Sequence, residues 1–200
     1  MNRKRLFIFI WAVLSAWCSR AQLANPSGQG WEARMTQAAR LYGEGDLESA
    51  LQQSLLALEG AQQSEALIQA AESHYLLGEI YSTLKRYDEA IQHARRGLLM
   101  RSESLGVDHV QVGLSANSLA QIYQDQGNFE KALPLNEQAI TIWRIHFGKT
   151  HPHLAVPYNN QGRILNILGK HHEKNARHLQ ADGHEANAKQ ATDQAQECYT

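Results

Sequence analysis

The stretch LAQIYQDQGNFEKAL, from Leu119 to Leu133, contains the pattern from which the fold can be predicted. Apolar residues recur every three or four positions before Gly127 and again after it, while polar residues surround the glycine. This spacing is typical of amphipathic helices. Glycine adopts the left-handed conformation that ends a helix without a steric cost. The stretch therefore predicts two helices joined by a tight turn at Gly127.

The same pattern returns at a fixed distance along the chain. Moving 42 residues downstream from LGVDHVQVGLSANSLAQIYQDQGN gives FGKTHPHLAVPYNNQGRILNILGK. The identical pairs are Gly106 and Gly148, His109 and His151, Asn117 and Asn159, Ile122 and Ile164, and Gly127 and Gly169. Weaker copies lie upstream, and self-similarity at a fixed period indicates a repeat architecture. The predicted units lie near residues 31–64, 71–104, 113–146 and 155–190.

Small residues and turn residues recur within these units. Positions where two helices must approach closely carry Ala38, Gly78, Ala120 and Gly162 on the first helix of each unit. Gly45, Gly127 and Gly169 are predicted to end the first helix of three units. Lys85 stands at that place in the second unit. A side chain there predicts a turn that is either strained or differently shaped, because the left-handed conformation crowds Cβ.

The pattern LAxIYxxxGxFxxAL, with small residues at these offsets, resembles the tetratricopeptide repeat. The 42-residue period and LGxDHxxV … LNxLAxIYxxQGxFxxA resemble the kinesin light chain variety of that repeat. The resemblance covers residues 31 to about 170. It implies an all-α fold, a right-handed superhelical solenoid of about four helix-turn-helix repeats. It says little about function, because one fold hosts many roles.

The two ends of the chain differ from the repeats. Basic residues, an apolar run and small residues before Gln22 predict a secretory signal peptide at residues 1–21. Residues 22–30 are a predicted linker, 31–190 the repeat domain, and 191–200 a polar tail. The apolar run, Leu6 to Ala16, is too short to serve as a permanent membrane span. The predicted location is periplasmic or secreted, and the alternative is envelope anchoring through an uncleaved N-terminal segment.

The resemblance also implies a concave groove lined by the first helix of each unit. The groove positions carried over from the family are Tyr75, Glu79, Ser82, Asn117, Gln121, Gln124, Asn159, Arg163 and Asn166. Most of these side chains are neutral and polar, and amides both donate to and accept from the backbone of an extended peptide. The alternative is that Asn117 and Asn159 only hydrogen-bond a neighbouring helix.

The main functional prediction is a non-enzymatic adaptor or scaffold of the cell envelope that binds a partner peptide in this groove. A formal net charge of −1 offers no electrostatic reason to expect nucleic acid as a partner. The sequence contains no G-x-S-x-G motif and no phosphate-binding glycine loop. We therefore predict no enzymatic activity, no cofactor and no metal.

Three alternatives remain open. The resemblance also implies a clamp, in which lysines and arginines hold an acidic chain terminus. Here the groove supplies Arg163, with Lys170 or Arg86 at its rim. A metal-dependent hydrolase would use C-terminal histidines, of which His171 and His178 share a helical face but lack a third ligand at fixed spacing. A self-assembling spacer would form a homo-oligomer.

Overall fold

The computed structural model describes residues 26–181 and 185–199, and the regular structure in this part is helical. The α-helices are α1 (Pro26–Glu44), α2 (Leu47–Gln63), α3 (Leu67–Thr83), α4 (Tyr87–Leu105), α5 (Val110–Gln126), α6 (Phe129–Phe147), α7 (Ala155–Ala181) and α8 (Glu185–Tyr199). A short 3₁₀ helix, Pro152–Leu154, precedes α7. The predicted all-α class is confirmed. Helix α1 begins at Pro26, so residues 26–30, which lie inside the predicted linker, are helical.

The chain divides into two compact units between Val107 and Asp108. The first unit contains α1 to α4, in which each helix packs against the next. The second contains α5 to α8 with the same order of contacts. Each unit is therefore a pair of helical hairpins, the arrangement that the repeats predict.

Hydrogen bonds join α1 to α3 within the first unit. Trp31 Nε1 donates to Ser73 Oγ over 2.8 Å in a buried contact. The hydroxyls of Tyr42 and Thr83 are 3.0 Å apart near the other ends of the same helices. The first helices of two successive hairpins thus lie side by side, as in a stacked repeat.

Small residues allow close packing of α3 and α4. A Cβ atom on Gly97 would lie 3.0 Å from the carbonyl oxygen of Ala71, which is tighter than ordinary van der Waals contact. A Cβ on Gly78 would lie 3.2 Å from the Ala94 Cβ. Gly162 differs: among the described residues, apart from its chain neighbours and the backbone of its own helix, no atom lies within 4 Å of where its Cβ would be. The prediction that Gly162 serves a close helix approach is wrong.

The turns follow the sequence pattern at three places. Gly45 and Gly127 have φ angles of 90° and 87° and end α1 and α5. Lys85 occupies the same region with φ of 61°, so the predicted strained turn is present. Glu65 has φ of 53° between α2 and α3, a second such residue that the sequence pattern did not indicate.

The fourth hairpin turns later than predicted. Helix α7 continues through Gly169 to Ala181, so the prediction that Gly169 ends a helix is wrong. A Cβ on Gly169 would lie 2.5 Å from Tyr199 Cζ, and the glycine therefore permits a close approach of α8. Helix α8 extends to Tyr199, beyond the predicted boundary at residue 190. Its buried side is made of Ala188, Ala191 and Ala195.

Candidate functional site

Three of the candidate groove residues lie on α3 in the first unit. Tyr75 and Glu79 are half-buried, and the Tyr75 ring lies over the buried guanidinium of Arg101 at 4.9 Å. Ser82 is only 6% exposed and its Oγ has no hydrogen-bond partner in the part of the chain that the structure describes. Ser82 therefore presents little surface to a ligand.

The other six candidates form two rows within the second unit. On α5 the row is Asn117, Gln121 and Gln124, and on α7 it is Asn159, Arg163 and Asn166. In both rows the spacing is four and then three residues, which places the members on one helical face. Arg163 Nη2 donates to Gln124 Oε1 over 2.6 Å and so connects the two rows.

The exposure of the two rows is different. Asn159, Arg163 and Asn166 on α7 are exposed. On α5, Asn117 and Gln121 are half-buried and Gln124 is 6% exposed. The α7 row thus forms the accessible side, and the α5 row lies deeper.

Two amide atoms of the α5 row are buried without a hydrogen bond among the described residues. They are Asn117 Oδ1, an acceptor, and Gln124 Nε2, a donor. A buried polar atom without a partner costs about 1–3 kcal/mol. Gln121 differs, because its Nε2 donates to Asp125 Oδ1 over 2.9 Å.

Asn117 and Asn159 occupy equivalent positions in two repeats. If their role were purely structural, each would hydrogen-bond a neighbouring helix. Within the described ranges, neither Asn117 nor Asn159 forms such a bond through its side chain. That role belongs instead to Asn136 on α6, which is fully buried and donates through Nδ2 to the Pro157 carbonyl over 3.0 Å. Asn136 was not identified from the sequence, because its partner is a backbone atom on another helix.

The histidines proposed for the hydrolase alternative lie on the surface of α7. His171 and His178 are both exposed. Among the described residues, no group of three or more His, Cys, Asp or Glu side chains is arranged to hold a metal ion. A different pair, His74 and His93, is close in space, and the sequence analysis did not single it out because the two residues lie on different helices.

Comparison with known families agrees with the hairpin arrangement. The tetratricopeptide repeat model matches residues 69–145 and 111–181, which is more than half of the chain. The chain belongs to the tetratricopeptide repeat family. Repeats of this family are in general non-enzymatic scaffolds for protein–protein interaction.

Solved structures show the same fold. BtubC (BKLC) from P. vanneervenii aligns with a TM-score of 0.65 at 17% identity, over 90% of this chain and 67% of BtubC. A putative kinesin light chain protein of Podospora anserina with nearly identical repeats aligns with a TM-score of 0.59 at 18% identity, over 88% of this chain and 97% of that one. The predicted tetratricopeptide-like solenoid class and the kinesin light chain-type resemblance are confirmed.

Curated relatives come from fungi. The clustered mitochondria protein homolog of Emericella nidulans is 29% identical over 100 residues, and that of Ajellomyces capsulatus is 26% identical over 103 residues. These alignments cover 50% and 52% of this chain. The chain spans only 8% of the length of either relative.

The predicted periplasmic or secreted location is wrong. The relatives are named for mitochondria, organelles inside the cell, and this conflicts with export and with the alternative of an envelope anchor. The predicted signal peptide at residues 1–21 lies outside the described residues. Within the described ranges, none of the helices has the length and apolar character needed to cross a bilayer.

Proposed function

We propose that this chain is a non-enzymatic scaffold that binds an extended peptide segment of a protein partner through the second unit. The contact surface consists of the two polar rows on α5 and α7. The observation that carries this proposal is the pair of buried amide atoms without partners, Asn117 Oδ1 and Gln124 Nε2, on one face of α5.

The chemistry of these rows suits a peptide backbone. Each residue of an extended peptide other than proline offers one N–H donor and one C=O acceptor. Asn and Gln side chains offer both kinds of group, so a row of amides pairs with backbone irrespective of ligand sequence. The exposed Asn159 and Asn166 are available for first contact, and small side-chain rotations then bring Asn117 and Gln124 within reach of the ligand.

The charge of the surface argues against the clamp alternative. Arg163 is the cation of the two rows, and its guanidinium already donates to Gln124. A clamp for a terminal carboxylate needs two or more converging cations. We therefore expect hydrogen bonds to the ligand backbone to provide most of the binding.

The experiment is selection of peptides from a random twelve-residue display library on the immobilised full chain. Selected peptides are then titrated by fluorescence polarisation against the wild type and the double variant Asn117→Asp/Asn159→Asp. The control is Asn175→Asp/Asn187→Asp, which adds the same charge at two exposed asparagines outside the rows.

We expect the groove variant to weaken binding of the selected peptides by at least about tenfold, because each new carboxylate removes an amide donor and repels backbone carbonyls. The control is expected to bind like the wild type. Peptides that bind both variants equally well, or a library that yields no saturable binder, would contradict the proposal. Circular dichroism checks that both variants remain helical.

A further inference from the structure

The first unit contains an open cleft on the surface formed by α2, α3 and α4. Its volume is about 660 Å³, within the range of small-molecule sites. Gln62 lies at the C-terminal end of α2, His74 comes from α3, and the rest of the lining belongs to one face of α4. None of the nine candidate groove residues lines this cleft.

Two arginines and one aspartate line the cleft and give it a net positive charge. Arg95 and Arg96 are exposed, and neither forms an ion pair or a hydrogen bond within the described part of the chain. Asp88 also lines the cleft, but it lies two helical turns before Arg95 and takes part in another interaction. Nearby Glu89 is held by Arg86, whose Nη2 lies 2.6 Å from its carboxylate. The two arginines are therefore available to bind an anion.

A histidine pair lies beside the arginines. His74 Nδ1 and His93 Nδ1 are 2.9 Å apart, so one ring donates and the other accepts. This arrangement leaves one Nε2 as a donor and the other as an acceptor. Burial lowers the pKa of His74 to about 4, with further lowering by His93 and Arg96, and burial also lowers the pKa of His93. At neutral pH the pair therefore supplies a neutral N–H donor, and the charge comes from the arginines.

The lining also contains two apolar residues, Ile91 and Leu99. Ile91 is half-buried and Leu99 is 46% exposed on the same face of α4 as the arginines. A large exposed aliphatic side chain next to two cations suits a ligand with an apolar body and an anionic group. Inorganic anions alone would leave Leu99 without contact.

We propose that this cleft binds the oxyanion group, phosphate or carboxylate, of a small ligand, with Arg95 and Arg96 as the anion contacts and Ile91 and Leu99 as the apolar contact. Guanidinium groups donate two parallel hydrogen bonds to either oxyanion. The histidine pair adds one further donor at the side of the cleft. This site is independent of the peptide surface on the second unit, and either proposal can fail without the other.

The test uses the full chain and isothermal titration with phenyl phosphate, benzoate and inorganic phosphate at neutral pH. Phenyl phosphate and benzoate carry the same apolar body and distinguish a phosphate from a carboxylate ligand. The binding variant is Arg95→Gln/Arg96→Gln. The matched control is Arg34→Gln/Arg40→Gln, which removes the same charge from two exposed arginines on α1.

We expect saturable binding of phenyl phosphate or benzoate, weaker binding of inorganic phosphate, and at least about tenfold loss of affinity in the Arg95/Arg96 variant but not in the control. The ligand that binds more tightly identifies the oxyanion.

Absence of saturable binding of all three probes up to about 10 mM would overturn the proposal. Equal loss in both double variants would also overturn it, because it indicates a nonspecific effect of net charge. Binding of Zn²⁺ lost in His93→Asn, without any anion binding, would assign the cleft to a metal instead.

Discussion

Arg163 Nη2 lies 2.6 Å from Gln124 Oε1, and this hydrogen bond connects α5 with α7 inside the second unit. Because the carbonyl of Gln124 is used in this way, its amide nitrogen remains buried without a partner among the described residues. The bond stabilises the contact between the two helices, while the unpaired nitrogen opposes it. The residue at position 124 thus provides a direct test of both effects.

Replacement of this amide by a carboxylate is expected to stabilise the protein. Gln124→Glu keeps the acceptor for Arg163, removes the unpaired donor and makes the hydrogen bond charge-assisted, so we expect a gain of about 1 kcal/mol in the free energy of unfolding. Urea denaturation, monitored by circular dichroism, measures the free energy of unfolding. The matched control is Gln121→Glu, which places a carboxylate against Asp125 and should lower stability. A Gln124→Glu variant no more stable than Gln121→Glu would contradict this account.

Lys85 is expected to be a site where glycine stabilises the protein. Its φ of 61° lies in the region that crowds Cβ, whereas Gly127 occupies the equivalent turn at 87°. The strain of about 1–2 kcal/mol exceeds the entropic cost of glycine, so Lys85→Gly should raise the free energy of unfolding by about 0.5–1 kcal/mol. Thermal melts compare it with Lys174→Gly in the interior of α7, where the same change should cost about 1 kcal/mol. Equal destabilisation by both changes would show that the turn at Lys85 is not strained.

Two glycines within helices are expected to respond oppositely to alanine. A Cβ on Gly97 would lie 3.0 Å from a backbone carbonyl oxygen of α3, and backbone moves only at a cost. We expect Gly97→Ala to lower stability by about 1–3 kcal/mol. Gly162 on α7 has open space around it, so Gly162→Ala should raise stability by about 0.5–1 kcal/mol. Chemical denaturation measures the free energy of unfolding of both variants. A Gly97→Ala variant more stable than the wild type would refute the close packing of α3 and α4.

Acid is expected to destabilise the first unit through its histidine pair. The pKa of His74 is lowered to about 4, mainly by burial, from an ordinary value near 6.5. The unfolded chain therefore binds a proton more readily than the folded one. The stability that this histidine contributes is fully present above about pH 6.5 and is lost progressively as the pH falls toward 4, by up to about 2–3 kcal/mol.

The measurement is the free energy of unfolding between pH 7.5 and pH 4.5 for the wild type and for His74→Leu/His93→Leu. Removal of both rings should flatten the decline in this range, since this pair is no longer there to be protonated. The control His171→Leu/His178→Leu removes two exposed histidines from α7 and should keep the wild-type slope. If the decline in the free energy of unfolding flattened only in the control, the acid-sensitive groups would lie outside the His74/His93 pair.

Features that depend on residues close together in the chain were predicted correctly, and contacts between distant residues were not. The turns at Gly45 and Gly127 were predicted correctly, because a left-handed turn depends on the residue that adopts it. The predictions for Gly169 and Gly162 were wrong. Both were made from the corresponding positions of the other repeats, and in the fourth unit these positions have different neighbours. Gly169 lies inside α7 against Tyr199, and Gly162 faces open space. Repeat position alone does not determine what a glycine contacts.

The all-α class, the period of the repeat and the membership of the family can be read from the residues alone. Apolar spacing and turn residues act within a few positions of one another, so a single chain displays them directly. The pairing of polar groups, in contrast, became visible in the packed helices. The bond between Gln124 and Arg163 spans 39 residues, and the contact between His74 and His93 spans 19. Such pairs depend on the register and crossing of packed helices, which local spacing does not specify.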